Sequence, residues 1–326
     1  MSAPASPPTP SSRRQFIVEG LGAGALLGLS AGCAAPEAAP KPPGAEVADT
    51  GGPTGPLLDP EALGLPYRQN DPEWSRTLMW DRGLVIRADT ELNGQDPAVS
   101  RQLLARYPAG NTIGNEGCML TCLAMVMRLL ADPAPEPWTP GKLNARAQAR
   151  YYYTLAGLSM VTLYADLVSE LSRGEVQLYI KEEHLPGMPR WTPVFAGSSP
   201  LIRAYRSLPL ATRANLLLML KTGTYDDTRA SHYVLLHPND TGSIDEDDLL
   251  LLDPAMPLRR DGPWRLSDSS AWITGDPAIA RAWEADGIGP LQIAGAWVFS
   301  RRGYDGDLRH LQALAQAWAE QMAAVG

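Results

Sequence analysis

From Cys118 to Leu130 the chain reads Cys-Met-Leu-Thr-Cys-Leu-Ala-Met-Val-Met-Arg-Leu-Leu, apolar on nearly every side of a helix. A helix of this kind must be covered all round, so it belongs at the centre of a domain. Pro133, Pro135 and Pro137 end it. Thr139 as N-cap and Pro140 at the first helical position predict a second helix running to about Ala149. A third is expected over Leu158 to Leu171, where Leu, Val and Tyr recur at helical spacing. Downstream, Tyr233-Val234-Leu235-Leu236 and Leu249-Leu250-Leu251-Leu252 are short apolar runs separated by a polar loop, Asn239 to Asp248. They predict two buried strands joined as a hairpin, because a helix needs a longer run. Ala294 to Ser300 reads as a further strand and Leu308 to Ala324 as a closing helix, which makes the domain mixed α and β.

Cys118 follows Gly117 at the start of the central helix. There the unpaired backbone N–H groups and the positive end of the helix dipole favour a thiolate, the form of cysteine that attacks carbonyl carbon. The competing reading is a buried cysteine acting as a small apolar residue. An activated thiol needs a base within hydrogen-bond reach and a group to orient that base. His232 opens the first strand of the hairpin and Asp253 closes the second, which would bring imidazole and carboxylate together on one edge of the sheet. Alternatively, His232 is a strand-end histidine bonded to a carbonyl and Asp253 a turn residue before Pro254. His237 is the competing base, placed beyond the strand next to Pro238.

Cys118 and Cys122 lie on one helix face in successive turns, at a Cα spacing near the upper limit for a bridge, so two free thiols are expected. No histidine pairing suited to zinc, and no phosphate-cradling glycine loop, stands out. The run Asp245-Glu246-Asp247-Asp248 lacks a calcium loop's alternating ligands and reads as a solvated hairpin tip. No metal or cofactor is expected. A net charge of −8 argues against nucleic acid, whose phosphates require clustered Lys and Arg. Trp191, Trp264 and Trp272 are candidates for a groove, with core packing as the alternative.

Ser12-Arg13-Arg14-Gln15-Phe16-Ile17 precedes a Gly, Ala and Leu stretch to Leu29 and then Ser30-Ala31-Gly32-Cys33. Residues 1–33 resemble a twin-arginine export signal ending in a lipoprotein cleavage box, with Glu19 and the position of Leu29 as departures. The resemblance implies the twin-arginine export machinery as a partner, a lipid on Cys33, and a periplasmic or cell-surface location. Export by that route delivers a folded protein, which would shield both remaining thiols. Residues 34–56, rich in Ala, Pro and Gly, form a disordered tether, and 57–326 are long enough for one large domain.

Several segments taken in order resemble one family. They are Tyr67-Arg68-Gln69-Asn70-Asp71-Pro72-Glu73-Trp74, Asn111-Thr112-Ile113-Gly114 with Gly117-Cys118 and Thr121, Leu123-Ala124-Met125-Val126, Ser231-His232-Tyr233-Val234, and Asp253-Pro254. Together they are similar to the papain-like cysteine peptidases related to bacteriocin-leader-processing enzymes. The resemblance implies an α+β, papain-like fold in which the cysteine-bearing helix packs on an antiparallel sheet. It also implies a nucleophile at Cys118, a base at His232, an orienting carboxylate at Asp253, and an oxyanion donor at Gln69. The expected activity is hydrolysis of a peptide or amide bond through a thioester. The alternative is a non-catalytic surface lipoprotein that uses the fold as a binding module. Cys122 stands where the family carries serine, and Gly83 to Pro108 reads as an insertion. The stretch 172–215 and the tail after Pro257 carry no family motif.

Overall fold

The computed structural model describes residues 58–105, 110–131, 136–150, 153, 162–180, 199–223, 232–243, 248–255, 264–266 and 292–325. The export signal with Cys33, the tether, His184, Trp191, Trp272 and residues 245–247 of the acidic run lie outside them. In chain order the elements are β1 (Leu78–Asp81), α1 (Arg82–Asn93), α2 (Pro97–Leu104), β2 (Gly110–Thr112), α3 (Ile113–Glu116), α4 (Cys118–Leu130), α5 (Pro140–Ala149) and α6 (Thr162–Leu171). There follow β3 (Val176–Ile180), α7 (Pro200–Ser207), α8 (Leu210–Arg213), β4 (Leu216–Gly223), β5 (His232–Leu236), β6 (Leu250–Leu252), β7 (Trp264–Arg265), β8 (Gln292–Arg301) and α9 (Asp305–Val325).

The fold is α+β. Six strands form one antiparallel sheet in the order β3-β8-β4-β5-β6-β7, and β1 and β2 form a separate antiparallel ribbon. Successive side chains on a strand point to opposite faces, and here both faces are covered, so the strands read as unbroken apolar runs. On β4, Leu217 and Met219 pack into one core and Leu216, Leu218 and Leu220 into the other. On β8, Trp297 and Phe299 face the first core, and Ala296 and Val298 the second. The first core is filled by α4 together with residues of α1, α5 and α6, the second by α7 and α9.

Helix α4 earns its central place through its sequence: eleven of its residues, Met119 to Met127 with Leu129 and Leu130, are buried, and Thr121 is the one hydroxyl among them. Its far end is fixed by Arg301, whose Nε donates to the Leu130 carbonyl at 3.1 Å and whose Nη2 donates to that of Leu129 at 3.2 Å. A guanidinium at a helix C-terminus satisfies carbonyls that the helix leaves open and complements the dipole. The Thr139 cap forms as expected, its hydroxyl accepting from the Lys142 N–H. The segment read as an insertion is built as two capped helices. Asp81 accepts from the Leu84 N–H to start α1, and Asp96 from the Ala98 N–H to start α2.

Candidate active site

Cys118 is the first residue of α4 and is half-buried. Gly117 before it has no side chain to cap the helix, and its N–H donates to the Ile113 carbonyl at 2.7 Å. A Cβ at position 117 would lie 2.4 Å from that carbonyl oxygen and 2.6 Å from Ile113 Cγ2. Glycine is therefore required by close approach, since its φ of −79° is open to any residue. The short helix α3 before α4 is clamped as well: the Ile113 N–H donates to the Thr77 carbonyl and the Gly114 N–H to that of Ser75. We expect Gly117→Ala to cost about 2–3 kcal/mol and to displace the thiol, because two rigid groups must give way. Urea unfolding of the variant checks this, and a loss below ~0.5 kcal/mol would show that the backbone relaxes freely.

The hairpin of β5 and β6 forms with Leu235 opposite Leu252 and Leu236 opposite Leu251. His232 and Asp253 meet, but not at an edge of the sheet as expected. β4 pairs with β5 on its other side, Thr222 facing His232, so the pair sits at the end of two interior strands. His232 Nε2 is 2.6 Å from Asp253 Oδ1, and the side chains are 9% and 0% exposed. The same Oδ1 accepts from the Ala255 N–H at 2.8 Å, which holds the carboxylate across the turn. Thr222 Oγ1 donates to the His232 carbonyl, fixing the backbone beneath the ring.

Burial opposes a charge on His232. The Asp253 charge and hydrogen bond, together with Cys118 acting as hydrogen-bond partner and as charge, overcome it and push the imidazole pKa up to about 10. Nε2 is committed to Asp253, and the Cys118 thiol is the second hydrogen-bond partner of the His232 ring. The protein thus brings Cys118, His232 and Asp253 into one connected relay.

Gln69 joins the same assembly through two elements. Its backbone N–H donates to the Pro254 carbonyl at 2.8 Å, so the turn that carries the carboxylate also holds this residue. Its side-chain Nε2 donates to the Gly114 carbonyl at 3.3 Å, just upstream of the nucleophile. That bond orients the amide, because an oxygen facing the Gly114 oxygen would be repelled, and it uses only one of the two amide hydrogens. The segment carrying Gln69 also walls a cavity of about 450 Å³ lined by Tyr67, Arg68, Asp71 and Trp74, among others.

The other candidates separate clearly. Cys122 is fully buried, and its thiol donates to the Tyr233 carbonyl at 3.3 Å. Burial, reinforced by the negative charges of Cys118 and Asp253, pushes its pKa well above the ordinary cysteine range, so it remains a protonated packing thiol. Both cysteines are free. His237 lies at the opposite end of β5; its Nδ1 accepts from the Asn239 N–H and its Nε2 contacts Glu61 at 3.3 Å. Burial lowers its pKa against the pull of Glu61, and it has no place in the relay. His310 is exposed on α9, across the sheet. Among the described residues no group of three or more His, Cys, Asp and Glu side chains could hold a metal ion.

One neighbour of the thiol escaped the sequence reading. Glu116, at the end of α3, is partly buried, and burial raises its pKa against the opposing pull of the Asn111 and Trp80 side chains. A lone acid before a Gly-Cys pair carries no spacing signal, and only the pairing of β1 with β2 assembles its partners. No family model matches the chain, and neither do any curated proteins or solved structures.

Proposed function

We propose that this protein is a thiol hydrolase of papain-like fold that cleaves a peptide or amide bond through Cys118, His232 and Asp253, with Gln69 as oxyanion donor. The observation that carries the reading is the buried pair, in which an imidazole held at 2.6 Å by an inaccessible carboxylate is also hydrogen-bonded to a thiol at a helix start. A high imidazole pKa supplies the positive charge that an attacking thiolate needs beside it.

In the first half-reaction Cys118 Sγ bonds to the amide carbonyl carbon, and the developing oxyanion takes the free hydrogen of Gln69 Nε2. His232 gives its Nδ1 proton to the amide nitrogen, the C–N bond breaks, and the amine leaves. The thioester that remains is opened by water. The now neutral His232 removes one proton from that water and keeps it, the hydroxide oxygen bonds to the carbonyl carbon, and the C–S bond breaks, so that the carboxylic acid departs and the Cys118 thiolate is restored beside the imidazolium. Asp253 keeps its charge throughout and orients the ring. The N-terminal sequence adds an exported, lipid-anchored location, with Cys33 bearing the lipid and the tether reaching the domain.

Alkylation tests the nucleophile directly. At mildly acidic pH, iodoacetamide is expected to modify Cys118 at least ~20-fold faster than Cys122, since burial keeps Cys122 protonated and out of reach while Cys118 is partly exposed. Peptide mapping of the labelled protein reads the ratio. Equal or faster modification of Cys122 overturns the assignment, and a Cys118 that reacts no faster than a free thiol at that pH leaves the binding-module reading in its place.

A further inference from the structure

His237 has no part in the cycle above, yet its side chain is 4% exposed and both ring nitrogens are engaged. A backbone N–H can only donate, so the bond from the Asn239 N–H to Nδ1 at 3.1 Å leaves the ring proton on Nε2, which donates to Glu61 Oε1 at 3.3 Å. Asn239 Nδ2 in turn donates to the Leu58 carbonyl at 2.9 Å. Segment 58–65 is thus clasped to the β5–β6 loop at two points. It closes on itself through the Leu65 N–H, which donates to the Pro60 carbonyl at 2.9 Å. Glu61, Gly64 and Leu65 form one wall of the cavity that Tyr67 to Trp74 complete.

This clasp requires a neutral imidazole. A second proton would go to Nδ1, where it would face the Asn239 N–H and remove that bond's acceptor. Burial opposes the imidazolium and outweighs Glu61, Asp240 and Asp59, whose charges favour it, so the pKa is lowered. Glu61 is 47% exposed, and solvent weakens its pull. Asp240 is committed to Arg206, whose Nε donates to Oδ2 at 2.8 Å, and its carbonyl accepts from Arg213 Nη1. On the β6 side the His237 N–H donates to the Leu250 carbonyl, and Arg265 is turned to Asp248 at 3.5 Å. A proton favours whichever state holds it more tightly, so acid favours release of the ring from this setting.

The two sides of the clasp are not equally free to move. Arg206 also donates to the carbonyls of Ser243 and Asp248 at 2.8 and 3.0 Å, and the Gly242 N–H donates to Asp240 Oδ1, so the loop is pinned. Segment 58–65, by contrast, exposes Asp59, Glu61, Ala62 and Gly64. The segment is the side that gives way. Its release stops short of the relay, because the Gln69 N–H is held by the Pro254 carbonyl and Trp74 Nε1 donates to the Arg68 carbonyl.

We propose that His237, Asn239 and Glu61 form an acid-released latch that holds segment 58–65 on the domain and closes one wall of the cavity. The latch is shut above the ordinary histidine value of ~6.5 and opens as pH falls below it. Acid then uncovers the cavity and leaves Cys118, His232 and Asp253 in place. The proposal stands independently of the hydrolase reading.

Hydrogen exchange followed by mass spectrometry on the full chain, from about pH 7.5 to 5 and corrected for the intrinsic pH dependence of exchange, tests the latch. Peptides covering 58–66 are expected to lose protection at least about fivefold at the acid end, with the Gln69 amide unchanged. In His237→Asn the side-chain oxygen replaces Nδ1 as acceptor for the N–H two residues on and does not titrate, so the loss should vanish. Glu61→Gln keeps an acceptor for the Nε2 proton and removes a charge that favours the imidazolium, so the loss should begin at lower pH than in the wild-type protein. Equal protection of 58–66 at both ends of the range overturns the latch. So does a loss that persists in His237→Asn, or one that extends equally to Gln69. Should His237→Asn fail to fold, Glu61→Gln decides, and a loss beginning at the wild-type pH or above overturns the proposal.

Discussion

Cys118→Ala and His232→Ala are each expected to lower the turnover of an amide substrate by about 10⁵-fold or more, and the double variant should lose no more than either single one. Nucleophile and base act as a unit: without the thiol there is no bond to form, and without the imidazole there is no proton for the leaving amine. Removing the second member of a broken unit removes nothing further. Asp253→Asn should be milder, because the ring keeps a hydrogen-bond partner but loses the charge that stabilises the imidazolium. Gln69→Ala should lower kcat by about 10²-fold with KM little changed, since its free N–H meets charge that exists only in the transition state. Steady-state and single-turnover kinetics on the four variants check the hierarchy. Additive losses in the double variant would mean that Cys118 and His232 act independently. Turnover retained by Cys118→Ala would place the activity elsewhere.

How legible the assembly is in the sequence depends on how local each signal is. Helix α4 declares itself because Met119 to Leu130 are apolar on all faces, and α5 because Thr139-Pro140 is a cap followed by a first-turn proline. The hairpin strands stand out as short apolar runs around a polar loop, which is why His232 and Asp253 could be paired before any fold was known. β4 was missed even though Leu216-Leu217-Leu218-Met219-Leu220 is a continuous apolar run. Together with Leu208, Leu210 and Ala211 it extends into a longer apolar stretch, and periodicity alone does not separate a buried strand from a buried helix there. Without β4, nothing shows that β5 is an interior strand, and the relay was placed on an edge. The position of β8 between β3 and β4, from opposite ends of the segment, is likewise a matter of tertiary pairing. The ribbon strands β1 and β2 have four and three residues, too few for a period, so their pairing left no trace either. The bond from the Gln69 N–H to the Pro254 carbonyl joins segments that no local pattern connects.

The same relay should dominate the pH dependence of stability. His232 holds its proton in the folded protein up to about pH 10, whereas an unfolded histidine releases it near ~6.5. The folded state therefore binds the proton more tightly, and the resulting stabilisation is full below the unfolded value. It is lost as pH rises through the window between the two and is gone above the folded one. For a buried pair this amounts to a few kcal/mol, on the order of 3, and the unfolding free energy should fall accordingly between about pH 7 and 10. Asp253→Ala removes the countercharge. Burial then prevails, the ring becomes neutral, and the slope across that window disappears. Stability at neutral pH should drop by about 3–5 kcal/mol, because a buried pair is broken from one side and the Ala255 N–H loses its acceptor. Asp253→Asn separates the two causes: its side-chain oxygen can still receive the Ala255 N–H, so it should flatten the pH profile with a smaller loss at neutral pH. Urea unfolding across the pH series, with His232→Gln as control, measures both. If the slope between about pH 7 and 10 persists in Asp253→Asn and in His232→Gln, another group is titrating. The imidazolium would then owe nothing to this carboxylate, and the chemistry proposed for Cys118 would lose the proton on which it depends.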